Sequence, residues 1–262
     1  MAEIEILEGR EYLVVKGNEL IQRTRYELSL PEQKTIAYIC SMITPVSAAE
    51  NKGIPYQLDY QFDIRQYCKI CGIDYDNGKN YADIKATLKK LRDKSFWMQL
   101  PDGSETVVAW LDRVTTNKRS GLATVRIDDR LAPFLFRLGQ RFTQYQLKNI
   151  LGMKSQFSVR FYEIAKSYEF KQAITFDLDD LKRQLMVDDV PSYEDFSLFR
   201  IRVLEPAERE INDLTDINIS FQPIKKGRKV VKILLNIQKK EIFEAWKAGV
   251  KTNQILDKGE YE

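Results

Sequence analysis

The chain of 262 residues contains no histidine. That absence excludes a Ser-His-Asp triad, a Cys-His nucleophile, HExxH zinc chemistry and any histidine metal site, including the paired-histidine site of rolling-circle nucleases. Cysteine is scarce too. Three thiols, an odd number, give no disulfide framework, and a reducing cytoplasm is the expected location. No apolar run approaches the roughly 20 residues needed to span a bilayer, so no membrane partner is expected. The opening Met1-Ala2-Glu3-Ile4-Glu5 is polar and acidic, unlike a secretory signal. Cys68-Lys69-Ile70-Cys71 has CxxC spacing, but zinc would need two more ligands and only Cys40 remains among the thiols. A thioredoxin-type pair would open a helix; this one lies toward a helix end closed by Gly72, so the expectation is two small side chains filling a helix contact. No metal, cofactor or catalytic residue is assigned.

What is present is a globular composition, 44% hydrophobic, long enough for one large domain or two of ordinary size. Ser29-Leu30-Pro31-Glu32 is a helix start, a capping Ser followed by Pro and Glu, and the apolar spacing of Ile36, Ile39, Cys40 and Ile43 continues it. Asn18 is placed as the cap of a brief preceding helix. Tyr56–Phe62 alternates as a strand, 63–71 and 81–94 read as helices, and 96–111 is a hairpin around Pro101-Asp102-Gly103-Ser104. A second hairpin, 114–127, turns at Asn117-Lys118-Arg119-Ser120-Gly121. Gly139-Gln140-Arg141 is the candidate boundary. Beyond it come helices over 155–168 and 177–186, with the short strand Ile174-Thr175-Phe176 between them. A long helical pattern from Phe196 to Leu214 and strands over 217–224 and 230–237 complete the order. Residues 242–246 read as helical and 251–262 as a mobile polar end.

The two halves repeat each other. Phe62-Asp63-Ile64-Arg65-Gln66-Tyr67 matches Phe176-Asp177-Leu178-Asp179-Asp180-Leu181, and each half runs helix, short strand, helix, turn, helix, hairpin. That order is a winged helix. The expected fold is α+β, two tandem winged-helix domains related by internal duplication, over residues 1–139 and 140–240, with a tail at 241–262.

The charge supports a nucleic-acid partner locally rather than globally. The net charge is only +3, yet residues 221–240 hold seven Lys/Arg and no Asp or Glu. In the preceding helix the stripe Phe196, Phe199, Val203, Ala207, Ile211 and Leu214 should be buried. Arg202 then points outward and Arg200 lies at the stripe's edge. A guanidinium can bind guanine O6 and N7 through two hydrogen bonds, and Ser197 could serve a base or a phosphate. Leu198 and Ile201 fall on the open side, against thymine methyls or a neighbouring element. Pro206 should bend the helix. The wing tip, Lys225, Lys226, Arg228 and Lys229, suits phosphates of double-stranded DNA. In the first half, Lys85 and Lys89 on a helix diluted by Asp83 and Asp93, with Lys118 and Arg119 at a hairpin tip, are phosphate candidates or a solvated face. Trp97 and Trp110 on the first hairpin read as core or interface.

At these residues the chain resembles the replication initiator (Rep) proteins of iteron-containing plasmids. The resemblance begins with Asn18-Glu19-Leu20-Ile21 and Leu28-Ser29-Leu30-Pro31-Glu32-Gln33-Lys34, which look like the family's opening pattern. Ser155 through Arg160-Phe161-Tyr162-Glu163 is similar to its S-x-x-x-x-R-L-Y-E helix. Phe199-Arg200-Ile201-Arg202-Val203-Leu204-Glu205-Pro206-Ala207 with Glu210-Ile211-Asn212 resembles its recognition helix, and Lys225-Lys226-Gly227-Arg228 its wing. The resemblance implies that the C-terminal winged helix reads a repeated iteron, with Arg200 and Arg202 as base readers. The N-terminal one would contact adjacent DNA and form a homodimer in equilibrium with monomer. Ile201 stands where the family often has a third basic residue. The resemblance further implies that monomers open the origin and recruit a host initiator and the replicative helicase, while dimers repress the protein's own gene. A tandem winged-helix transcription regulator without a replication role remains an alternative, discriminated by a lone palindrome instead of direct repeats. A nickase using tyrosine and carboxylates is the enzymatic alternative, and thirteen tyrosines single out no candidate for it.

Overall fold

The structure, a computed structural model, describes residues 12–43, 56–73, 78–100, 102–136, 138 and 141–241. Gly139 and Gln140 of the candidate boundary, the segment 242–246 and the end 251–262 lie outside the described residues.

Each half is built as a three-helix core closed by a short strand and a hairpin. In the first, α1 (Asn18–Gln22) leads to α2 (Leu30–Ser41), then β2 (Asp59–Asp63), α3 (Ile64–Cys71) and α4 (Gly78–Asp93). The capping box at Ser29 is formed: its N–H donates to Glu32 Oε2 at 2.8 Å. Asn18 is not the cap of α1. Gly17 occupies that position, and the Asn18 carboxamide oxygen instead accepts from the Thr143 hydroxyl at 2.7 Å. Helix α3 ends at Gly72, whose φ of +67° is the left-handed conformation that glycine adopts without strain. Cys68 and Cys71 are buried on this helix, and burial pushes the Cys71 thiol up to about 12, which leaves it protonated and unreactive.

Two hairpins follow, and their roles differ. The hairpin β3 (Ser95–Gln99) and β4 (Glu105–Ala109), directly after α4, forms a two-stranded sheet of its own. The second, β5 (Leu111–Asn117) and β6 (Leu122–Ile127), joins β2 in the order β2-β6-β5 and is therefore the first wing. The bare element order did not show which hairpin would pair with the short strand; Phe62↔Ala123 and Tyr60↔Val125 do, because both put buried side chains on one face. The two tryptophans also separate: Trp110 is buried, whereas Trp97 is 64% exposed.

Strand β1 (Leu13–Gly17), at the start of the described chain, pairs antiparallel with β7 (Phe142–Gln146). After α5 (Ala132–Leu135), which precedes β7, come α6 (Lys148–Leu151), α7 (Gln156–Ser167), β8 (Ala173–Asp177) and α8 (Leu178–Gln184). The repeat noted in the sequence falls on equivalent places. Asp63 ends β2 and caps α3 by accepting from Gln66 N–H at 2.9 Å. Asp177 ends β8 and caps α8 by accepting from Asp179 N–H at 3.1 Å. Ile64 and Tyr67 in one copy, Leu178 and Leu181 in the other, are buried.

The halves share one apolar core, and buried polar groups cross between them. Lys16 Nζ on β1 lies 2.6 Å from Glu163 Oε1 on α7, and Tyr145 OH donates to the same oxygen at 2.6 Å. Burial alone would raise the Glu163 carboxyl, but Lys16, Tyr145 and Arg160 hold it below its ordinary value. Arg160 donates to Tyr26 OH at 2.9 Å and to the carbonyls of Ile21 and Thr24 at 2.7 and 3.1 Å. No helix among the described residues is long and apolar enough to cross a membrane.

Candidate nucleic-acid interface

The site begins where Asp195 caps α9 (Phe196–Phe199), its carboxylate accepting from Ser197 N–H at 2.8 Å. The helical rod continues through a π-helical turn, Arg200–Leu204, into α10 (Glu205–Leu214). This turn is how the chain accommodates Pro206, where a bend was expected. Proline has no N–H and its ring crowds the preceding turn's carbonyl. Widening that turn by one residue relieves the crowding, and Glu205 N–H reaches back five residues to Arg200 O.

The same widening reshapes the buried stripe. Phe199, Val203, Ala207, Ile211 and Leu214 are buried as the spacing requires, Phe196 is half-buried, and Leu204 joins the stripe beside Val203. The extra residue also brings positions five apart together: Arg200 Nε lies 3.4 Å from Glu205 Oε1. That pair is solvent-exposed and holds the side chain weakly. Ser197, Arg200 and Arg202 are all exposed, and among the described residues Arg202 forms no ion pair.

The wing is β9 (Ile217–Lys226) and β10 (Lys229–Lys239), with β10 central between β8 and β9. Lys226 pairs with Lys229, so the turn is only Gly227-Arg228. Lys225, Lys226 and Lys229 are thus strand residues, not loop residues; Gly227 at φ +64° permits the two-residue turn that suits strand twist. All four cations are exposed, and among the described residues none is ion-paired. Val231 is an extra residue in the pairing, a bulge at the base of the tip.

Helix and wing are fixed to each other along the outer edge of β9. Asn212 accepts from Ile219 N–H at 2.6 Å and donates to Ile219 O at 2.9 Å, and Glu208 Oε2 accepts from Phe221 N–H at 3.2 Å. The next outward position is Pro223, which has no N–H to leave unpaired. A groove of about 390 Å³ between the two elements is lined by Arg200 and Pro223 together, so the base of the wing and the start of the rod border one space. Sequence reasoning did not assign Glu208 this tethering role. Its signal was available: Glu208 and Asn212 are four apart on the helix and face strand positions two apart. Lys240, one of the seven cations, is turned inward, donating to the carbonyls of Asn212 and Thr215 at 2.6 and 2.8 Å where α10 ends.

The first half presents its cations differently. Lys85 and Lys89 are exposed on α4, but Lys89 is paired with Asp93, and Arg92 lies 3.5 Å from the same carboxylate. Lys118 and Arg119 are exposed at the β5–β6 tip, where Asn117 Oδ1 accepts from Arg119 N–H at 2.9 Å. On the strands behind the tip, Asp59 pairs with both Arg113 and Arg126.

A helix with exposed guanidiniums, tethered to an acid-free cationic wing and repeated in reduced form upstream, defines a tandem winged-helix DNA-binding protein. A family model described as "Initiator Replication protein, WH1" matches residues 13–166, and one described as "Initiator Rep protein, WH2" matches residues 177–237. The chain belongs to this family, the Rep initiators of plasmid replication. Among solved structures it is similar in fold to the Pi initiator protein crystallised in complex with iteron DNA, at 20% identity and a TM-score of 0.68, over 89% of this chain and 99% of that one. A weaker likeness, 13% identity and a TM-score of 0.41 over 70% of this chain and 75% of that one, is to domains 2 and 3 of RctB.

Proposed function

We propose that the protein initiates plasmid replication by binding iterons, direct repeats in double-stranded origin DNA, as a monomer. The second winged helix reads the repeat: Arg200 and Arg202 contact base edges, Ser197 contacts a base or a phosphate, and Lys225, Lys226, Arg228 and Lys229 contact phosphates. The first winged helix adds Lys85, Lys89, Lys118 and Arg119 along adjacent backbone and carries the dimer interface. On this reading residues 1–139 and 140–240 act as the two functional modules, with 241–262 as a tail. Bound monomers promote origin opening and recruit the host initiator and replicative helicase in the cytoplasm; dimers bind an inverted repeat and repress the gene. The protein works by binding and deformation of DNA, without catalysis or cofactor.

The observation that carries this reading is the pair of exposed arginines on a helix hydrogen-bonded to a wing with free cations. Family membership and the fold shared with an initiator crystallised on iteron DNA support it. The test is a footprint of the purified protein on DNA flanking its gene, beside the Arg200→Ala/Arg202→Ala double variant. Protection of direct repeats by the native protein, lost in the variant while weak salt-sensitive binding persists, is the expected result. Equal protection by the variant would falsify base reading by this helix.

A further inference from the structure

We propose that Ile201 reads the 5-methyl group of a thymine in the major groove and thereby sets one base of the preferred site. The inference rests on the DNA-reading role of this helix proposed above and assigns part of its specificity.

Ile201 is 50% exposed, although Val203 and Leu204, two and three residues further on, are buried. It stands between two exposed arginines, Arg200 and Arg202, at the centre of the cationic face. An apolar side chain in that setting gains nothing from water. It also separates two guanidiniums that would otherwise have a third polar neighbour.

The backbone explains how three consecutive residues can share one surface. In a regular α-helix successive side chains are turned by about 100°, which spreads residues 200–202 over more than half the circumference. Here they lie within the π-helical turn Arg200–Leu204. A π turn holds more residues per revolution, so each step rotates less and the three side chains occupy a narrower arc. Arg200, Ile201 and Arg202 therefore span a somewhat smaller part of the circumference than in an α-helix, and all three are exposed.

The chemistry of the major groove then selects the ligand. Guanine offers O6 and N7 acceptors that suit a guanidinium, and thymine alone among the bases offers a methyl group. Isoleucine is branched at Cβ and stiff about χ1, so it presents a fixed apolar surface with little side-chain freedom to lose. The arrangement fits a thymine flanked by bases that accept hydrogen bonds from arginine. The other exposed large apolar residues among the described residues, Trp97, Val107, Phe142, Phe170, Met186 and Ile224, lie outside this helix, and Ile224 is on the wing, whose proposed contacts are to phosphates.

The experiment uses the full chain and a duplex that it selects from a randomised pool. Each thymine of the selected site is replaced singly by uracil, which removes the methyl group and leaves every hydrogen-bonding atom. The native protein should bind one such duplex about fourfold more weakly, the worth of one buried methyl. Ile201→Ala should bind the thymine and uracil versions equally, while Ile201→Leu keeps part of the discrimination. Indifference of the native protein to uracil at every position, or undiminished discrimination by Ile201→Ala, overturns the assignment and leaves the helix as a DNA reader. Failure to select any preferred duplex has a different signature: it removes the DNA-reading proposal itself, and this inference with it.

Discussion

The two winged helices share an architecture and differ in how they spend their charge. In the first, several cations are matched by local acids, Lys89 and Arg92 by Asp93, Arg113 and Arg126 by Asp59, Lys94 by Glu32, while Lys85, Lys118 and Arg119 form no ion pair among the described residues. In the second, the wing has no acid over twenty residues and its tip cations are unpaired among the described residues. A guanidinium already held by a carboxylate must give up that partner to bind a phosphate, whereas a solvated one only releases water and displaces counterions. The helices differ as well. Helix α4 is regular, while the corresponding rod of the second half contains a π turn just before Pro206, where Arg200 and Arg202 sit. On the proposed reading, the first half would supply the weaker, backbone-directed surface and the second the stronger, base-directed one.

The largest expected effect tests whether the halves are separable at all. Lys16 and Glu163 are almost fully buried and bridge them, so Glu163→Ala leaves an unpaired ammonium in the core and should cost about 3–5 kcal/mol. Urea unfolding should show a single transition moved to lower denaturant; an unmoved second transition would mean that one half folds independently. Neutralising Lys225, Lys226, Arg228 and Lys229 together should flatten the slope of log K against log salt by about 3–4, since each phosphate contact contributes about 0.9. Titrations at several salt concentrations on selected and unrelated duplexes read this directly, and the loss should be similar on both. Arg202→Ala should instead cost about 1–3 kcal/mol on the selected duplex alone. A uniform loss across sequences would move Arg202 from base reading to phosphate contact.

A smaller effect concerns the joint between halves at alkaline pH. Lys34 donates to Leu151 O at 2.7 Å, and burial, outweighing the pull of Cys71 and Glu210, lowers its pKa to about 8. Its unfolded value is about 10.4, so between the two the unfolded chain holds a proton that the folded one has lost. Stability from this group therefore rises with pH across that window, by at most about 1.4 kcal/mol per unit, and is level below it. The stability difference between native protein and Lys34→Met should drift in that direction from pH 8 to 10 and be constant from 6 to 7. Least of all, Lys89→Ala should change affinity for the selected duplex by less than about twofold, because Asp93 already occupies the cation. A tenfold loss there would erase the contrast between the halves.

The family-like motifs carry a lesson of their own. Their most recognisable residues mostly hold the protein together. Glu210 accepts from the N–H groups of Lys154 and Ser155 at the start of α7, Ile211 is core, and Asn212 bridges to β9. Arg160 and Glu163 bind the opposite half. Within the stretch resembling the recognition helix, Arg200, Ile201, Arg202 and Glu205 are exposed. A motif read as a DNA signature is thus largely a scaffold signature, and the proposed DNA contacts fall on the positions that it leaves exposed.

Local chemistry made much of this legible in the chain itself. Capping at Ser29, Asp63 and Asp177, helix termination at Gly72, the turn at Gly227 and the apolar stripe of the second reading helix depend on residues within a few positions of one another. So did the duplication and the acid-free wing. Four features waited for the tertiary structure: which hairpin is the first wing, the pairing of β1 with β7, the Lys16–Glu163 bridge across 147 residues, and the π turn that turns Pro206 to account. Each depends on which distant surfaces bury each other, or on how a helix packed on its core absorbs a misfit. Sequence spacing encodes the local preference, whereas the choice among compatible partners is made by packing.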